Sequence, residues 1–162
     1  MRWVGRCLDS VLSSTVKADL YIVDNGSTDG TREYIPMHYP EAMLYLSPVN
    51  LKFGKGNNLG LEYALKNNYD YVYLLNQDAW IMPDTISKLQ KVHTTYPQYG
   101  ILSPLQMASD EKTFEYFFNL LIARKFSEDF ATSDVIPVDF VQAAHMLISR
   151  ACLEQVGGFS SE

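Results

Sequence analysis

Residues Leu20 to Thr31 read LYIVDNGSTDGT. The β-branched and aromatic run Tyr21-Ile22-Val23 stops at Asp24-Asn25-Gly26, and polar residues of the capping type follow. That pattern predicts a strand whose carboxyl end opens into a tight loop and then a helix. In an open α/β sheet, ligands bind just beyond the carboxyl ends of strands. Asp24 and Asn25 stand there, and a carboxylate and an amide can read the edge of a base or a ribose. Gly26 lets a backbone approach closely. The same residues also suit a loop that only caps the next helix.

Outward from this stretch, strand and helix patterns alternate. Strands are expected at Leu20–Asp24, Met43–Leu46, Tyr71–Leu75, Gly100–Ser103 and in the apolar run Val138–Ile148. Helices are expected at Thr31–Ile35, Asn57–Asn67, Thr85–Thr95 and Arg150–Val156. Val4, Cys7, Leu8, Val11 and Leu12 have helical spacing, so the chain opens on a helix with no strand ahead of it. Asp84 and Ser149 are expected N-caps, and Gly157 the left-handed stop of the last helix. The segment Ser109–Asp134 is the least periodic and reads as a helix plus a mobile excursion. The alternation predicts an α/β fold with a mostly parallel sheet flanked by helices.

Two further segments carry candidate chemistry. In YVYLLNQDAWIMP (Tyr71–Pro83) a buried strand ends in Asn76-Gln77-Asp78. Asp78 is the one carboxylate of the three, hence the strong ligand for a hard cation such as Mg²⁺ or Mn²⁺, whose shell phosphates and waters complete. A plain strand-ending turn would use the same residues. In NLKFGKGNNLGL (Asn50–Leu61) three glycines precede a helix, with Lys52 and Lys55 adding positive charge, an arrangement suited to a phosphate. Its spacing is neither the dinucleotide fingerprint nor a P-loop. His145, in an apolar run, reads as a satisfied strand-end histidine, and Trp80 either as core or as a stacking surface for a sugar. Phe114, Tyr116, Phe117 and Phe118 read foremost as core, ahead of an acceptor groove or a membrane contact.

Composition sets the bounds. At 162 residues and 47% hydrophobic content the chain can build one compact domain, residues 1–162. A net charge of −6 with no basic block argues against nucleic acid. Cys7 and Cys152 have no metal or redox spacing, which fits buried thiols in a reducing, cytoplasmic setting. No apolar run is long enough to cross a bilayer, and the first residues do not form a signal peptide.

Taken in order, four segments resemble the nucleotide-sugar glycosyltransferases of family 2, which have the GT-A fold. VDNGSTDGT resembles the family's second-strand motif, NLKFGKGNNLGLEYAL its glycine- and asparagine-rich approach to the next helix, and LLNQDAWIMPDTISKL its DxD-type metal segment. FVQAAHMLISRACLEQVGGFSSE is similar to the segment leading into the family's Gly-Gly-Phe turn. The resemblance implies transfer of a sugar, with inversion, from a UDP- or dTDP-sugar to a hydroxyl of a saccharide or lipid-linked acceptor, assisted by a divalent cation. Its setting would be cell-surface polysaccharide synthesis, in the cytoplasm or at the inner membrane face. It also implies substrate-binding roles for Asp24, Asn25, Lys55, Asn57, Gln77 and Asp78, with Asp78 holding Mg²⁺ or Mn²⁺. Asn76 replaces the first Asp of DxD, no first strand precedes Met1, and Glu162 aligns with a flanking acidic position. On the family pattern, then, the chain is a domain truncated at both ends, with its catalytic base beyond Glu162, expected to bind nucleotide weakly and to transfer no sugar. The alternative is a non-catalytic nucleotide-binding or interaction module of the same fold.

Overall fold

The computed structural model describes residues 2–126, 128–129 and 132–160; Glu162 lies outside the described residues. Helix α1 (Val4–Leu12) buries Val4, Cys7 and Leu8, the helical stripe expected from sequence. Strand β1 (Tyr21–Asp24), helix α2 (Thr31–His38), strand β2 (Met43–Leu46) and helix α3 (Lys52–Lys66) follow. Strand β3 (Tyr71–Leu75), helix α4 (Thr85–Thr95) and the two-residue strand β4 (Ile101–Leu102) come next. A short helix α5 (Tyr116–Phe118) runs on as a π-helical stretch over Asn119–Ala123, and β5 (His145–Ser149) and α6 (Arg150–Val156) complete the order.

The strands form two ladders. β1 pairs in parallel with β2, Tyr21 opposite Met43 and Asp24 opposite Leu46. β5 lies between β3 and β4 and runs antiparallel to both, so those two share one sense and β5 alone reverses. Backbone hydrogen bonds between β1 and β3 are not made, and the single continuous sheet expected from sequence is split there. The main core bridges α3, β3, β5 and α6 through Leu61, Leu74, Met146, Ile148 and Leu153. Burying each such side chain contributes about 1.5–3 kcal/mol. A satellite cluster of Phe118, Ile122 and Ala123 packs under α5; of the aromatic group expected there as core, Tyr116 and Phe117 are exposed instead.

Several boundaries differ from expectation for physical reasons. α3 starts five residues early, because Asn25 Oδ1 accepts from Leu51 N–H at 2.6 Å and Asn50 Oδ1 from Lys52 N–H at 2.8 Å. These bonds anchor a glycine-rich turn that has low helix propensity on its own. α2 runs through Pro36 to His38, since Tyr39 N–H still reaches Ile35 O at 2.8 Å. The expected strand Val138–Ile148 shrinks to β5, because residues 138–143 join no ladder. Asp84 makes no capping bond; its carboxylate pairs with Lys88 at 2.7 Å. Ser149 does cap α6, accepting from Cys152 N–H at 3.3 Å. Gly157 has φ of 77° as the stop requires, but ψ of −163° places it outside the left-handed helical region.

Candidate functional site

The carboxyl ends of β1 and β3 open on one cleft of about 1070 Å³. Among its described lining residues, the carboxylates at that end are Asp24 and Asp78. The separation of the two ladders thus leaves the shared cleft intact.

Asp24 is 3% exposed. Its Oδ1 lies 3.0 Å from Arg32 Nε and accepts from Ser27 N–H at 3.2 Å. Arg32 in turn donates to Ser47 O at 3.0 Å, tying α2 to the end of β2. Asp24 Oδ2 is buried and has no hydrogen-bond partner. A buried oxygen of that kind is uncommon, and a ligand N–H or O–H would satisfy it. Gly26 turns the chain here with φ of 84°, and a Cβ on it would stand 3.1 Å from the Val49 carbonyl carbon. Both facts require glycine.

The other expected site residues fall into three groups. Asn25 lines the cleft, but its amide is spent on the backbone of Leu51 and Lys52. Asn57 also lines the cleft and donates to Phe53 O at 2.9 Å. Lys55 is displaced: with the helix beginning at Lys52, the cleft-facing stripe is Lys52, Phe53, Gly56, Asn57 and Gly60, and Lys55 lies off it, exposed. Lys52 is the lysine that borders the cleft. Gln77 and Asp78, exposed at the mouth, both line it, with Asn76 behind them.

The Asp78 charge acts on two neighbouring groups, Cys7 and His145. Cys7 Sγ donates to Asn76 O at 3.4 Å, and burial, followed by the Asp78 charge, pushes its thiol up to about 11. Cys7 is thus an inert thiol at neutral pH. His145 pairs across the ladder with Leu75 and shares a 3.1 Å hydrogen bond with the Tyr73 hydroxyl. It is the satisfied strand-end histidine expected. Burial holds its pKa below the ordinary 6.5, with Asp78 opposing. The unfolded chain therefore binds the proton more readily, so stability is fully present above about pH 6.5 and falls as the pH drops through that value toward the folded pKa. His145→Gln should flatten the decline in melting temperature between about pH 6.5 and pH 5; an unchanged slope would remove His145 as its source.

Trp80 has protein partners. It stacks on Trp3 at 6.3 Å, carries the Arg6 guanidinium 3.5 Å from its ring centroid, and donates to Glu111 at 3.0 Å.

Asn58 is a residue that local sequence patterns did not single out. Phe159 N–H donates to its Oδ1 at 2.8 Å, and its Nδ2 donates to Phe159 O at 2.9 Å. A Cβ on Gly158 would come 2.4 Å from the same oxygen. Phe159 also meets Phe53 edge-on at 5.2 Å. The Gly-Gly-Phe turn is thereby clamped to the first turns of α3, beside the cleft. The Asn57-Asn58 pair was the visible signal.

Among the described residues no three His, Cys, Asp or Glu side chains converge as a metal site. No described helix is long and apolar enough to cross a membrane.

Comparison with known proteins agrees with this geometry. An uncharacterised glycosyltransferase of Nostoc sp. is 26% identical over 134 residues, covering 81% of this chain and 41% of the relative. The N-acetylglucosaminyl-diphospho-decaprenol L-rhamnosyltransferase of Mycobacterium tuberculosis is 24% identical over 175 residues, covering 91% and 57%. The chain thus spans about half the length of these curated relatives. S. aureus TarS 1–349 solved with UDP superposes with a TM-score of 0.70 at 15% identity, over 99% of this chain and 47% of TarS. The same fragment with UDP-GlcNAc gives 0.65 at 16% identity, over 95% and 43%. The profile described as Glycosyl transferase family 2 matches residues 2–157. With nearly the whole chain matched and its helices and strands arranged as in TarS, the protein belongs to glycosyl transferase family 2 and has the GT-A fold.

Proposed function

We propose that the cleft binds a UDP- or dTDP-sugar, and that its sugar passes with inversion to a hydroxyl of a saccharide or lipid-linked acceptor. The observation that carries this reading is the buried, unpartnered Oδ2 of Asp24 in the cleft that Asp78 also lines. Asp24 accepts a hydrogen bond from the pyrimidine or ribose, Lys52 and Asn57 border the same nucleotide, and Gln77 and Asp78 approach the diphosphate. TarS, of like fold, has been solved with UDP and UDP-GlcNAc, which supports a nucleotide-sugar donor. The mycobacterial relative is named for a diphospho-decaprenol saccharide, which supports a lipid-linked acceptor.

Asp78, exposed at the cleft mouth, offers one hard carboxylate, which suffices for a Mg²⁺ or Mn²⁺ ion when the diphosphate and water supply the other ligands. When bound, such an ion neutralises charge on the departing diphosphate. The acceptor proton falls to a carboxylate other than Asp24 and Asp78, which the donor occupies. The single carboxylate of the metal segment favours a second reading, a module that binds nucleotide without transfer. Release of UDP from UDP-GlcNAc in the presence of a lipid-linked saccharide separates the two.

Asp78→Asn tests the metal reading. Titrating UDP with Mn²⁺ by calorimetry should give roughly tenfold weaker binding in the variant, about 1.4 kcal/mol. Chelator should weaken wild-type binding to the same level and leave the variant unchanged. The exposed position implies a stability change within about 0.5 kcal/mol. Equal affinity in both proteins would remove Asp78 from the metal site.

A further inference from the structure

Among the described residues, three other than glycine take up the left-handed backbone: Lys52 at φ of 63°, Asn68 at 61° and Glu111 at 56°. An L side chain is strained there, asparagine least of all, so Asn68 follows from its residue type. The Glu111 carboxylate accepts from Arg6 and from Trp80 Nε1, and contacts within the protein hold it in place. Lys52 is different. Its N–H donates to Asn50 Oδ1 at 2.8 Å and its C=O accepts from Asn25 Nδ2 at 3.4 Å, which pins the strained backbone from both sides. Its ammonium makes no ion pair among the described residues. Gly54 and Gly56, in the same turn, lie outside the positive-φ region. Lysine thus stands at the one position of this turn where glycine would be free of strain.

The place of that side chain shows what it serves. Lys52 lines the cleft from the β1 side, next to Asn25, whereas Asp78 stands beyond the end of β3. Lys17, the other lysine lining the cleft, precedes β1 and lies at the opposite, amino-terminal end of the strands. At the mouth Asp24 is paired with Arg32 at 3.0 Å, and its buried Oδ2 still lacks a partner. Asp78 has no ion pair among the described residues. An anionic ligand entering here meets a protein of net charge −6 and requires local positive charge. The unpaired Lys52 ammonium supplies it.

We propose, on the premise that the cleft binds a nucleoside diphosphate, that Lys52 is the residue that holds the diphosphate. Its ammonium binds phosphate oxygens from the β1 side, facing the cation site at Asp78 across the mouth, by charge-assisted hydrogen bonds. The ligand is then divided between two sets of residues. Asp24 reads the uncharged base or ribose, while Lys52 and Asp78 take the charged part. The left-handed backbone at position 52 is retained because the side chain it presents binds the ligand.

The test is calorimetric titration of uridine, UDP and inorganic pyrophosphate, each with Mg²⁺, into wild type, Lys52→Met, Lys52→Arg and Lys52→Gly. Lys52→Met should bind UDP and pyrophosphate roughly tenfold more weakly, and uridine within about twofold of wild type. Lys52→Arg keeps the charge and should hold UDP within about threefold. Lys52→Gly should bind like Lys52→Met yet melt at or above wild type, because glycine adopts this φ without strain. Equal UDP affinity in wild type and Lys52→Met would overturn the proposal. So would an equal loss on uridine, which would put Lys52 at the base. A Lys52→Gly protein melting well below wild type would do the same, by making the side chain a structural prop. A wild type that binds pyrophosphate through Lys52 but does not bind UDP would leave the anion contact standing and refute the nucleotide reading. Absence of binding to all three probes would overturn both.

Discussion

Gly100→Ala is expected to lower the unfolding free energy by about 3 kcal/mol, the upper part of the usual range for overpacking. A Cβ at position 100 would come 2.5 Å from Cys152 Cβ and 2.9 Å from its Sγ. Neither neighbour can step aside. Cys152 lies on α6, whose cap, Ser149, donates its backbone N–H to Gly100 O at 2.9 Å. Moving the helix would strain the contact that joins it to β4. For a domain of this size the loss corresponds to roughly 6–12 °C in melting temperature. Adding Cys152→Gly removes the opposing Cβ and should restore part of the loss, less about 1 kcal/mol for glycine inside a helix. A Gly100→Ala protein that melts like wild type would mean that α6 docks more loosely than described.

Asp24→Ala should weaken UDP binding by roughly 10- to 100-fold, because a buried ligand edge left unpaired costs about 1–3 kcal/mol. The fold will also suffer, since Arg32 loses its partner at 3.0 Å and Ser27 N–H its acceptor. Asp24→Asn separates the effects. Its amide oxygen can still accept from Ser27 and fill the space, so melting should drop less while UDP affinity remains impaired through the lost charge. Calorimetry on both variants, with melting curves alongside, is the measurement. Wild-type affinity in either variant would take Asp24 out of the nucleotide pocket.

Where local chemistry is complete within a few residues, the sequence was readable. Tyr71–Leu75 and Thr85–Thr95 came out with their observed bounds because strand-forming and helix-periodic runs are punctuated by Asp70, Asn76, Asp84 and Tyr96. The α3 start was not readable, since Asn25, 26 residues upstream, supplies the bond that makes a glycine-rich stretch helical. That shift rotated Lys55 off the cleft and brought Lys52 to it. The reversed direction of β5 was equally hidden, because nothing local in His145–Ser149 encodes which neighbour it meets. Among candidate site residues, Asp24, Gln77 and Asp78 were placed by the strand-end rule, and the structure brings all three to one cleft. The family resemblance supplied their roles.

The Asn58–Phe159 clamp bears on the order in which the chain can assemble. β1, α2, β2 and α3 are contiguous in sequence and contact one another locally. β3 by contrast must wait for residues 145–149, and Asn58 for a partner 101 positions later. Loop-closure entropy makes such distant pairings slow. During synthesis the first ladder can consolidate while the second is still being translated. A refolding experiment should therefore show amides of Ile22 and Asp24 protected before those of Val72 and Leu74.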